Sequence, residues 1–339
     1  MDNMVIASDE NELKLLTQSI GDFLSPLELE LLIKYVKIFS FASGETILHQ
    51  GKKTDGIYVI LEGTVRVIAQ IMSEGVTNME TLQPGHFFSV NSFIENTPAS
   101  TSFIASGTVR CLYISSSYFE LLADDFPETR YKLLQVVGQQ ICNRLKTIHD
   151  IITSFISNSD MTSLSFFERI IYSLNQPKKT IFEESNIDKS EIENLLLFKS
   201  FTQDEIDTLL QNFVILNAPK NCKLVNEGDN TASCYLVIYG AIQSCIIQDS
   251  KLAKLSVIGP GTLIASIGCI ENKVPFNFTY VTCEHTILCK LSESAIKKIK
   301  ENNLQLWYKL FYLIFGSLVA LKKSIDKLDI RLHIENYNR

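Results

Sequence analysis

The sequence predicts a mainly β protein with α-helices: two tandem jelly-roll β-barrels, each flanked by helices and followed by one long helix. Three observations carry this expectation. Short runs of alternating polarity are divided by Gly44, Gly51, Gly63 and Gly85, the pattern of strands joined by turns. The turn glycines recur 177 residues later, Gly51 with Gly228 and Gly63 with Gly240. Each set of strands leads into a long segment with an apolar stripe at helical spacing.

Taken in order, residues 11 to 23 carry a helical pattern through Leu13, Leu16, Ile20 and Phe23. Ser25-Pro26-Leu27-Glu28 then makes a capping box with proline at the first helical position, opening a helix through Leu31, Leu32, Tyr35 and Val36. Thr202-Gln203-Asp204-Glu205 opens an equivalent helix at the same 177-residue offset. Ile57 to Val67 reads strand, glycine turn, strand, and Cys234 to Ser244 repeats it. Ser115 pairs with Ser292 at 177, whereas Pro84-Gly85 pairs with Pro260-Gly261 at 176, after a one-residue loop deletion. An offset held across so many turn glycines marks a duplicated domain, because such positions tolerate other residues poorly.

The first long helix is expected from about Pro127 to Ser157 and the second from about Leu304 to Ile334. In the second, Trp307, Phe311, Ile314, Leu318, Leu321, Ile325 and Leu328 alternate steps of four and three, a coiled-coil seam. That seam predicts a homodimer through this helix; the alternative is packing within one chain. The expected domains are residues 1–156, a helical linker at 157–190 with a short helix over about 163 to 174, and 191–339.

Composition narrows the function. A net charge of −7 argues against nucleic acid, whose phosphates demand a concentrated basic face. The N-terminus is not a signal peptide, and the apolar stretch Leu310 to Leu321, bracketed by Lys309 and Lys322, is too short to span a bilayer. Eight cysteines in apolar runs, never as Cys-x-x-Cys, read as reduced core residues of a cytoplasmic protein; secretion without a cleaved signal would look the same. Cys283, His285 and Cys289 on one strand would lie too far apart to share a metal. No nucleophile, P-loop or metalloprotease motif is present, so neither an enzyme nor a cofactor is expected.

One stretch occurs twice. Pro84-Gly85-His86-Phe87-Phe88-Ser89 runs on to the Ile94-Glu95-Asn96 turn, and Pro260-Gly261 runs on to Ile270-Glu271-Asn272. With Gln50-Gly51, Asp55, Ile57-Tyr58-Val59-Ile60, Gly63 and the Phe119-Leu121 helix, this stretch resembles the cyclic-nucleotide-binding domain family, over about residues 24 to 155 and 201 to 333. The resemblance implies a phosphate cassette in which a glycine admits backbone amides to the phosphate, a glutamate takes the ribose hydroxyl and an arginine neutralises the charge. Laid on that pattern, the first copy has Ser89, Val90 and Ser100 at those three places, and keeps only Thr101. The second copy has Ala265, Ser266 and Phe276.

A phosphate deprived of its guanidinium loses a charge-assisted contact of about 1.5–3 kcal/mol. Tight binding of cyclic AMP or cyclic GMP is therefore not expected at either cassette. Two readings follow. In one, Phe87, Phe88 and Phe93 plug a degenerate cassette and the protein acts by protein contact, without enzymatic activity. In the other, Ser89, Asn91, Ser92, Ser100 and Thr101 line a neutral site for a non-standard small molecule, with the signal passed through the Pro127–Ser157 helix. The winged helix-turn-helix and the pseudosubstrate that relatives use as outputs are not recognisable.

Overall fold

A computed structural model describes residues 4–5, 9–71, 75–157, 175–185, 187–229, 231–265, 267–270 and 278–337. The chain forms two compact units, residues 1–141 with 326–339, and residues 142–325.

The first unit opens with β1 (Met4–Val5), α1 (Asp9–Ile20) and α2 (Pro26–Tyr35). The expected capping box holds α2: the Ser25 N–H donates to Glu28 Oε2 at 2.8 Å, and the Ser25 hydroxyl accepts the Glu28 N–H at 3.4 Å. Strands β2 (Lys37–Phe41), β3 (Thr46–Leu48), β4 (Gly56–Ile71), β5 (Gly75–Leu82), β6 (Phe87–Phe88) and β7 (Ser102–Ser115) follow. They pair antiparallel in the order β1-β2-β7-β4-β5, with β3 on β7 and β6 on β4.

β4 and β7 are long enough to serve both faces of the roll because they bend. Their register slips on either side of Glu62, next to Gly63. Gly63 sits at φ +80°, and a Cβ there would lie 2.3 Å from the Thr108 carbonyl oxygen, so only glycine turns this corner. Inside the bend, Ile60, Val65, Ala105, Val109 and Cys111 are fully buried and enclose Phe88. Burying side chains of this size stabilises by roughly 1.5–3 kcal/mol each. After β6 come α3 (Val90–Ile94), α4 (Ser116–Asp124) and α5 (Pro127–Ser157), the last with the bounds expected from sequence.

In the second unit β8 (Lys178–Ile181), α6 (Lys189–Glu193) and α7 (Gln203–Asn212) precede β9 (Phe213–Ala218) and β10 (Lys223–Val225). Where the first unit has one bent strand the second has two. β11 (Cys234–Tyr239) and β12 (Ile242–Gln248) part at Gly240, and β15 (Thr279–Thr282) and β16 (Thr286–Leu291) part at a turn. With β13 (Lys251–Ile258) and β14 (Leu263–Ala265) they form two sheets, β10-β15-β12-β13 and β14-β11-β16-β9-β8. β8 edges β9 as β1 edges β2, so the duplication includes a leading strand that the sequence pattern did not reveal. α8 (Glu293–Asn302) and α9 (Leu304–Tyr337) complete the chain.

Several hydrogen bonds recur in both copies. Gly85 N–H donates to the Ile60 carbonyl at 2.7 Å and Ile60 N–H to the His86 carbonyl at 3.1 Å. In the second unit Gly261 N–H donates to Val237 at 2.8 Å and Val237 N–H to Thr262 at 3.0 Å. Ser115 and Ser292 each cap the next helix by accepting an N–H three residues on. Thr202 and Glu205 form the second capping box. In each copy a lysine of the long helix also pairs with the box glutamate: Lys132 with Glu28 at 3.0 Å, Lys309 with Glu205 at 2.8 Å.

Three expectations need adjusting. The heptad seam assigned to a partner chain is covered within one chain: Trp307, Phe311, Ile314, Leu318, Leu321 and Ile325 are all buried, while Leu328 is half-buried. A regular apolar repeat records that a helix face is covered, not what covers it. Second, Lys309 and Lys322 do not end the apolar helix. Leu304–Ile330 is long and apolar enough, by length and composition, to cross a membrane, although half of its most apolar window is buried in the fold. Third, Cys283 and His285 lie before β16, so the three candidate ligands do not share a strand; His285 Nε2 is 2.7 Å from Asn217 Oδ1, and Cys289 is buried. All eight cysteines are free thiols. The short helix expected at 163 to 174 lies outside the described residues.

Candidate ligand cassette

The cassette of the first unit starts at the Pro84-Gly85 turn. Gly85 has φ +85°, and a Cβ there would meet the Ser19 carbonyl oxygen of α1 at 2.7 Å, so the turn needs glycine for both conformation and space. Gln140 of α5 grips this turn: its Nε2 donates to the Gly85 carbonyl at 2.8 Å and its Oε1 accepts the Phe87 N–H at 2.9 Å. At the same offset in the second copy, Ser317 turns its hydroxyl to the Ile314 carbonyl of its own helix at 2.7 Å.

Ser89 follows with φ +65°, the left-handed backbone that favours glycine. Ser89 thus holds a backbone conformation in which glycine would be unstrained. The strained serine is held by its side chain, which is buried and donates to the Gly56 carbonyl at 3.0 Å. Val90, the first residue of α3, is buried as well.

Other candidate polar groups have partners within the chain. Ser92 is buried and donates to the Thr97 carbonyl at 2.6 Å, and Asn91 Nδ2 donates to Asp326 Oδ2 at 3.2 Å. Ser100 and Thr101, both half-buried, follow Ala99, whose backbone pairs with the β3–β4 turn: Ala99 N–H to the Lys52 carbonyl and Gly51 N–H to the Ala99 carbonyl, each at 2.8 Å. Asn96 takes φ +50° at the Ile-Glu-Asn turn and accepts from Lys53 Nζ at 3.2 Å. Residues 84 to 101 contain no lysine or arginine.

Aromatic rings fill the adjoining interior. Phe88 stacks on Tyr58 at 5.0 Å and on Phe103 at 4.9 Å, and Phe93 meets Phe119 edge-on at 5.4 Å. Such pairs add about 0.5–1.5 kcal/mol beyond burial. Tyr113 hydrogen-bonds to Asp55, a group the resemblance had marked without assigning it a role. Burial pushes the Tyr58 hydroxyl up to about 12, so these phenols stay neutral donors.

In the second unit Ala265 ends β14, opposite Cys234 of β11, while Ser266 and Phe276 lie outside the described residues. The segment after β14 is one 3-10 turn, Ile267–Cys269, and it is buried. A groove of about 500 Å³ lies between Ser233, Lys290 and the start of α8.

Two antiparallel rolls, each with a Pro-Gly turn and followed by a long helix, define a protein of two tandem domains. The cyclic nucleotide-binding domain model matches residues 38–125 and 215–303, more than half of the chain. The chain belongs to that family. Among solved structures it is similar to a cyclic nucleotide-binding domain from Methylobacillus flagellatus, at 21% identity over 44% of this chain and 86% of that one, TM-score 0.41. It is also similar to the regulatory domain of Toxoplasma gondii PKA with cAMP, at 11% identity over 89% and 96%, TM-score 0.32. A third similarity is to the regulatory subunit of a cAMP-independent protein kinase A from Trypanosoma brucei, at 13% identity over 90% and 96%, TM-score 0.31.

Proposed function

We propose that this protein is a non-enzymatic regulatory protein whose two cassettes no longer take cyclic AMP or cyclic GMP, and that it acts through contact with a protein partner. The observation that carries the reading is the destination of the cassette's polar atoms. Ser89 and Ser92 satisfy backbone carbonyls, Asn91 satisfies a carboxylate, and a buried valine stands where the sugar would be held. An entering phosphate would find no cationic side chain in the segment and would have to break existing hydrogen bonds, each worth about 0.5–1.5 kcal/mol.

The test is a thermal-shift and calorimetric titration of the full chain with cyclic AMP, cyclic GMP and cyclic dinucleotides. A ligand that binds the native state raises Tm by linkage. No shift at millimolar nucleotide is expected; stabilisation at micromolar concentration would overturn the proposal.

One observation favours a second reading, a sensor for a non-standard small molecule in the first domain. Gln140 joins the cassette turn directly to α5, so a ligand that moved Phe87 would move the helix. A homodimer through α9 would require the seam residues to exchange their present cover for a partner's. Sedimentation at micromolar concentration decides it: a mass near 38.3 kDa is one chain, and twice that is the dimer.

A further inference from the structure

The end of the last helix lies with the first cassette. Residues 326–337, the end of α9, belong to the same compact unit as the cassette. Asp326 places a carboxylate oxygen 3.2 Å from the Asn91 side-chain nitrogen, on the short cassette helix α3. One turn further along, Asp329 is only 1% exposed, so this part of α9 is embedded in the fold rather than projecting into solvent. Of the side chains expected to greet a ligand, Asn91 is the one whose amide donates to the far end of the chain.

We infer that Asp326 latches the end of α9 onto the first cassette by taking the Asn91 amide as an external anion would, so that this cassette responds to the position of α9 and not to a diffusible phosphate. The charge argument runs the same way as the hydrogen bond. A carboxylate fixed at the cassette helix repels a phosphate approaching the same donor, and it does so in a segment that lacks any cation of its own. Releasing α9 would free the donor, and occupying the donor would release α9; the two events exclude one another.

The inference rests on the reading that the first cassette takes no external anion, and the two are tested separately: nucleotide titration probes that reading, and the exchange of two side chains probes the latch. In the full chain, hydrogen exchange is followed at residues 90–94 and 326–337. Asp326→Ala is expected to raise exchange in both segments by roughly three- to tenfold, the size of one ordinary hydrogen bond lost from a half-buried pair. Asn91→Asp sets two carboxylates against each other and should do the same at neutral pH. Combining Asn91→Asp with Asp326→Asn swaps the donor and the acceptor, and it should return both segments to within about twofold of the parent. If the swapped protein exchanges as fast as Asn91→Asp alone, or if Asp326→Ala leaves residues 90–94 unchanged, the latch is overturned. The swap keeps size and shape at both positions, so it decides between these outcomes even where the alanine variant folds poorly.

Discussion

Gln140 holds the carbonyl of Gly85 with its amide nitrogen at 2.8 Å, and with its amide oxygen it takes the N–H of Phe87 at 2.9 Å. One side chain thus closes the turn from the helix side, and both backbone groups lose their partner together if it is removed. Gln140→Leu is expected to destabilise the first unit by about 1–3 kcal/mol, read as a lower urea midpoint. Ser317→Ala, at the same place in the second copy, should cost less than about 0.5 kcal/mol.

The Ser89 position separates backbone strain from hydrogen bonding. Ser89→Gly relieves a left-handed residue but gives up the bond to Gly56, two effects of about 1 kcal/mol with opposite sign, so Tm should stay within a few degrees of the parent. Ser89→Val keeps the strain, adds a β-branch and leaves the Gly56 carbonyl without its donor. A loss of about 2–4 kcal/mol by chemical denaturation is expected.

Glycines of the repeat differ in a measurable way. Gly63 and Gly240 combine positive φ with a carbonyl oxygen 2.3 and 2.4 Å from the site of a Cβ, whereas Gly51 has positive φ and open space. Gly51→Ala should cost about 1 kcal/mol, and Gly63→Ala or Gly240→Ala clearly more, since backbone must move. Equal losses at all three would show that crowding at the strand corners does not matter.

His149, near the end of α5, gives the second unit a pH dependence. Its ring lies 2.9 Å from a Glu227 oxygen and 3.6 Å from Asp150, and edge-on to Phe278. Burial alone would lower its pKa, but the Glu227 and Asp150 carboxylates outweigh it and raise the value above the usual 6.5. Because the folded pKa is raised, the stabilisation is fully present below about pH 6.5 and is lost as pH rises through the folded value. Tm of the second unit should therefore fall as pH rises above about 6.5, and Glu227→Gln should flatten that slope.

Much of the fold was legible because the duplicated features are backbone requirements. Positive-φ turns demand glycine, and helix starts demand Ser or Thr with Glu three residues on, so Gly63, Gly240, Ser25 and Thr202 announce themselves in a single sequence. The one-residue deletion between the copies was read from Pro84-Gly85 and Pro260-Gly261, and it reappears in the hydrogen bonds of Ile60 and Val237. What stayed hidden depends on side-chain direction and on distant partners. Ser89 and Ser92 look like ligand donors on paper, but their hydroxyls turn to Gly56 and Thr97. The Asn91–Asp326 contact spans 235 residues and follows no local rule. Lys132 with Glu28 and Lys309 with Glu205 were visible only as unrelated charges, although their equal offset was there to be compared.

Those two ion pairs make each long helix a lever with its fulcrum in the first two turns. In α5 the 25 residues beyond Lys132 form an arm of about 37 Å, at 1.5 Å per residue. A rotation of about 5° at the Glu28 anchor would sweep the far end through about 3 Å, roughly the length of one hydrogen bond. Gln140 stands about a third of the way along that arm, so the same tilt would carry its amide, and the glycine turn that it holds, through about 1 Å.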